Sequence, residues 1–127
     1  MKGKQRFFIC EICGNLVGLI SEEGAALNCC GEDMTELVPN TVEASAEKHL
    51  PAVNVAGDCI NVQVGSVMHP MEDEHNITFA YVETEHGGQR KRFNVGAEPK
   101  TTFCFSDDKP IAVYAYCNKH GLWKTEV

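Results

Sequence analysis

Ala52-Val53-Asn54-Val55-Ala56-Gly57-Asp58-Cys59-Ile60-Asn61-Val62-Gln63-Val64 is the stretch that decides the fold. Two apolar runs flank Gly57-Asp58, a turn signal between strands. In the second run Ile60, Val62 and Val64 alternate with Asn61 and Gln63. That period of two buries one face of a strand and leaves the other to water. Further out, residues 77–85 alternate less cleanly, with Ile77, Phe79 and Tyr81 on one side. His86-Gly87-Gly88-Gln89 turns the chain into residues 90–95, and 101–105 and 111–116 read as further strands. No segment carries a helical stripe. Strands with turns about every ten residues predict an antiparallel β-sandwich, so the chain is expected to be mainly β.

The first forty residues differ. Phe7 to Cys10, Leu16 to Ile20 and Ala25 to Leu27 predict three short strands, with cysteine at both ends of the unit. So small a core needs a metal or a cross-link, as domains below about 40 residues usually do. Cys10, Cys13, Cys29 and Cys30 follow the spacing C-x2-C-x15-C-C. Four thiolates suit a tetrahedral ion, and zinc and iron both fit the spacing. The adjacent Cys29-Cys30 pair predicts a distorted tetrahedron. Gly14 and Gly31 can adopt positive φ and turn the chain so that N–H groups face the sulfurs. Val38-Pro39-Asn40-Thr41 breaks the pattern, which places a boundary between residues 1–39 and 40–127.

The second part holds the other donors. Cys117-Asn118-Lys119-His120 puts a thiol and an imidazole three residues apart, with Gly121 turning the chain afterwards. His69-Pro70 and His75 lie between two predicted strands. His49 ends Glu47-Lys48-His49, which Leu50-Pro51 places on a loop before a strand, because proline holds its predecessor extended. Each histidine alone reads as an ordinary polar residue. His86, in its Gly-Gly turn, keeps that reading. Four histidines and a cysteine at strand ends of one sandwich can instead meet at one ion. Cys59 and Cys104, inside apolar strands, are expected to be buried free thiols, and Trp123 a core or site-wall residue.

Cys10-x2-Cys13 with Cys29-Cys30 resembles the desulforedoxin-type iron site, a relative of rubredoxin. Set ahead of Glu47-Lys48-His49, it resembles the desulfoferrodoxin family, the two-iron superoxide reductases, over nearly the whole chain. The resemblance implies an immunoglobulin-like second domain and two iron ions. One is held by Cys10, Cys13, Cys29 and Cys30. The other has His49, His69, His75 and His120 around it and Cys117 on its axis. It implies one-electron reduction of superoxide to hydrogen peroxide, without dismutation. Lys48 would attract superoxide and help deliver a proton. Glu47 would fill the vacant position once product has left. Ferrous iron with four neutral imidazoles and one thiolate has a net charge of +1, which favours a small anion. A rubredoxin-type donor and a homodimer are implied as well.

Composition narrows the classes further. The formal charge is −7, and Arg90-Lys91-Arg92 is the one basic run. It reads as a solvated strand end, so nucleic acid is not an expected partner. No stretch approaches the roughly 20 apolar residues of a membrane span, and no signal-peptide pattern opens the chain. A soluble, cytoplasmic protein is expected. In a reducing compartment seven cysteines read as metal ligands or buried thiols before disulfides.

Overall fold

The computed structural model describes residues 4–127. The chain divides into two compact units, Lys4–Val38 and Pro39–Val127.

In the smaller unit β1 (Phe7–Ile9) lies between β2 (Leu16–Gly18) and β5 (Thr35–Leu37), all antiparallel. A two-residue ladder joins β3 (Asn28–Cys29) to β4 (Glu32–Asp33). The third strand of the sheet is therefore Thr35–Leu37, and the strand expected at Ala25 to Leu27 does not form. Ala25 and Ala26 are exposed, too small and too wet to drive pairing. Cys30 and Gly31 instead take positive φ, 55° and 78°, and fold the chain back on itself. Among the described residues Phe7 and Cys10 are the buried apolar side chains of this unit.

The larger unit is an immunoglobulin-like antiparallel sandwich. One sheet has the order β10 (Lys100–Cys104), β7 (Cys59–Val64), β6 (Pro51–Ala56). The other has β12 (Gly121–Glu126), β11 (Pro110–Cys117), β8 (Ile77–Thr84), β9 (Gly87–Arg92). Ile60, Val62 and Phe103 of the first sheet pack on Ala80, Val82 and Val113 of the second. The alternation of residues 60–64 thus faces the core.

Three sequence expectations are corrected here. Phe79 and Tyr81 do not share the face of Ile77. A register shift between Tyr116 and Cys117 leaves Ile77 opposite Cys117 while Phe79 pairs with Tyr116. This bulge turns Ile77 inward, beside Val64, Ala115 and Cys117. Phe79 stacks on Tyr116 on the other face. Second, Glu47-Lys48-His49 is not on a loop but in a short helix, α1 (Ala46–His49). It ends where Pro51 holds Leu50 extended, at φ −67° and ψ 126°. Third, Cys59 and Cys104 are not buried free thiols. They are directly paired across β7 and β10 and joined in a disulfide. The period that turns Ile60 and Phe103 inward turns these two outward.

The strands run so that α1, the end of β7, the β7–β8 loop and the β11–β12 turn share one end of the sandwich. Register fixes this: Pro51 pairs with Val64, and Cys117 with both Ile77 and Gly121.

Candidate metal centres

At that end His49, His69, His75, Cys117 and His120 come together, with their donor atoms all within 4.8 Å of one another. The imidazoles form a four-membered ring. Centroids of neighbours are 4.7 Å apart for His49–His69, 4.5 Å for His69–His75, 5.1 Å for His75–His120 and 4.8 Å for His120–His49. Each neighbouring pair is close to perpendicular, and His49 faces His75 across the ring at 6.4 Å. Cys117 Sγ lies 3.4 Å from His69 Nε2 and 3.8 Å from His120 Nδ1.

Backbone carbonyls set which nitrogen faces inward. His49 Nδ1 donates to Ser45 O at 2.7 Å, and His69 Nδ1 donates to Pro70 O at 2.7 Å. A carbonyl can only accept, so each ring proton is on Nδ1 and each Nε2 presents a lone pair. Those two lone pairs face each other at 3.2 Å. His75 Nε2 is buried with no hydrogen-bond partner among the described residues. Converging lone pairs and an orphaned buried nitrogen are what a cation would satisfy.

Burial also favours the neutral form of three of the imidazoles. It pushes His69 down to about 4 and lowers His49 and His75 too. Burial raises the Cys117 thiol, so a metal there must displace a proton. A ring of four nitrogens with a sulfur beside it suits a metal of higher coordination number than tetrahedral zinc.

Trp123 closes one wall. It stacks on His49 at 5.0 Å, and its Nε1 donates to His120 O at 3.0 Å. Gly65 lies in close approach to the backbone of α1, behind the segment that carries His49. Sequence reasoning missed Gly65, because nothing in Val64-Gly65-Ser66 announces a tertiary contact. Glu47 and Lys48 are exposed on α1, directly before His49. His86 belongs to neither donor group.

The second group is Cys10, Cys13, Cys29 and Cys30. Cys13 Sγ is 3.6 Å from Cys29 Sγ, which is 4.0 Å from Cys30 Sγ. A tetrahedron with metal–sulfur bonds of about 2.3 Å has edges of roughly 3.8 Å, so these spacings fit. The Cys13 N–H points at Cys10 Sγ, and the Asn15 N–H at Cys13 Sγ, each at 3.5 Å. The Cys13 N–H is the main reason the Cys10 thiol is lowered to about 6. Asn15 is a further residue that the sequence did not single out; it follows Gly14, whose φ of 85° turns the chain toward the sulfurs.

The profile of the family described as Desulfoferrodoxin matches residues 41–126, and that of its N-terminal domain matches residues 3–37. The chain belongs to the desulfoferrodoxin family. Desulfoferrodoxin of Syntrophotalea carbinolica is 39% identical over 126 residues, 99% of each chain. That of Nitratidesulfovibrio vulgaris is 36% identical over the same share of each. The crystal structure of the superoxide reductase from Treponema pallidum is 35% identical, with a TM-score of 0.81 over 98% of this chain and 100% of that one. In this family member the two donor groups fit two iron sites, one of four thiolates and one of four imidazoles and a thiolate.

Proposed function

We propose that this chain is a superoxide reductase, reducing superoxide to hydrogen peroxide at the His49–His69–His75–His120–Cys117 centre without dismutation. The ring of four imidazoles beside one buried thiol carries this reading. Five protein donors leave a six-coordinate ion one position for a small anion. Relatives named superoxide reductase support it, among them the Pyrococcus horikoshii protein, 32% identical over 99 residues.

Iron held there would supply the single electron that superoxide takes up. The residues of the chain do the rest. Cys117, fully buried among Val64, Ile77 and Ala115, keeps its sulfur away from water and product. Lys48 sets a cation beside the centre in a chain of net charge −7. Local focusing there offsets the overall repulsion of an anion. Its ammonium also passes a proton, through water, to the leaving peroxide. Glu47 would offer its carboxylate to iron held there once product has departed.

Residues 1–39 and 40–127 act as separate domains in this reading. Cys10, Cys13, Cys29 and Cys30 would hold the iron that takes electrons from a rubredoxin-type donor and passes them on. The protein works as a cytoplasmic homodimer. Azide or cyanide added to the oxidised protein tests the open position. A changed spectrum is expected; an unchanged one would mark an outer-sphere electron-transfer protein.

A further inference from the structure

Cys59 and Cys104 stand apart from both donor groups, which between them contain all five free cysteines. The pair occupies the last rung of the β7–β10 ladder. Val64, which packs with Cys117, is at the other end of β7. Five residues of strand at about 3.3 Å each separate the two ends, roughly 17 Å. Sharing a metal with Cys117 is out of reach.

The setting is accessible and pre-aligned. Cys104 is exposed and Cys59 half-buried, on the outward face of the sheet. Cys59 lines an open groove of about 470 Å³ together with Asp58, Glu85, Asp107, Asp108 and Lys109. Backbone pairing from Lys100–Gln63 to Cys104–Cys59 holds the two residues opposite each other. Opening the bond would leave that ladder in place and the two thiols facing.

We propose that Cys59 and Cys104 form a second, sulfur-based redox site, a dithiol that hydrogen peroxide closes and a small neutral dithiol reopens. Cys104, the more exposed, attacks one peroxide oxygen as thiolate. The O–O bond breaks; one oxygen leaves and is protonated to water, and the other stays on sulfur as a sulfenic acid. The Cys59 thiol displaces that oxygen as a second water and forms the S–S bond. Two thiols and one peroxide give one disulfide and two waters, with two electrons passing from sulfur to oxygen. Reopening consumes one external dithiol, which leaves as its own disulfide. Four carboxylates outnumber the single ammonium of Lys109 in the groove, so its net negative charge disfavours superoxide and anionic thiols, while neutral peroxide and neutral dithiols enter freely.

The inference rests on the proposed function only for the source of peroxide. The full-chain holoprotein is reduced with dithiothreitol, freed of it without oxygen, and given one equivalent of hydrogen peroxide. Its iron is measured before and after. The expected result is a Cys59–Cys104 cross-link found by peptide mass mapping, reopened by dithiothreitol with both irons retained. In Cys59→Ser, dimedone should label Cys104. A bond that dithiothreitol cannot open in the folded protein, thiols that stay free under peroxide, or an unlabelled Cys104 would each overturn the proposal. Because peroxide is added, a chain unable to reduce superoxide would still close this bond.

Discussion

Gly65 lies against the peptide of Glu47 so closely that a β-carbon would stand 2.6 Å from the Glu47 carbonyl oxygen and 2.7 Å from the Lys48 carbonyl carbon. Both neighbours are backbone and cannot swing aside. The same carbonyl accepts the Val67 N–H at 2.9 Å and the Ser66 hydroxyl at 3.1 Å. One segment therefore fixes the helix that presents Glu47, Lys48 and His49. Gly65→Ala should destabilise the protein by about 1–3 kcal/mol, the usual cost of overpacking, measured by denaturant unfolding. It should also slow the reaction with superoxide, since the helix must shift. Wild-type values of both would show that the contact relaxes at no cost.

Lys48→Ala should slow superoxide attack, and the gap from wild type should widen at low salt, where screening is weakest. Rates measured across ionic strength check this; an unchanged rate removes Lys48 from the mechanism. Glu47→Ala should leave that rate nearly intact and alter the ferric spectrum. The two substitutions separate attraction of substrate from closure of the open position.

Acid should attack the imidazole ring. His69 is held at about 4 by burial, and His49 and His75 are lowered by the same cause, whereas the unfolded chain titrates near 6.5. Between those values the unfolded state binds more protons, so stability rises with pH. The contribution is complete above about 6.5 and is lost as pH falls toward 4. Thermal unfolding of metal-free protein should follow that window. Iron release from this centre should fall in it too, since protons compete for the same nitrogens. Stability independent of pH between 6.5 and 4 would contradict the burial argument.

Cys13→Ser should remove the thiolate that faces Cys29 and with it the metal of the smaller unit. Among the described residues Phe7 and Cys10 alone form the buried apolar part there, too little to hold a fold. Hydrogen exchange should show residues 4–38 unprotected while the strands of residues 51–126 stay protected, and iron content should fall from about two per chain to about one. Retained protection in residues 4–38 would mean the unit folds without metal.

The alternation of residues 59–64 made the sandwich legible, because a period of two has one reading once a face is buried. The nine donors were legible as residue types, since thiol and imidazole at strand ends have few other uses. What escaped the sequence depends on contacts between distant segments. The bulge that turns Ile77 inward arises from its pairing with Cys117. Thr35–Leu37 became a strand because it pairs with β1. α1 forms over four residues with no amphipathic stripe to announce it. The Cys59–Cys104 bond needs the register of β7 against β10, and the role of Gly65 needs the position of Glu47. None of these has a local signature.

Pulse radiolysis of the fully reduced protein, with iron quantified beforehand, tests the central claim most directly. Superoxide should decay in a second-order reaction with the His4Cys iron, giving one hydrogen peroxide per superoxide and no dioxygen. Dioxygen released in step with peroxide would mean dismutation, and superoxide decaying no faster than in buffer would mean the centre does not react with it; either result would contradict the account.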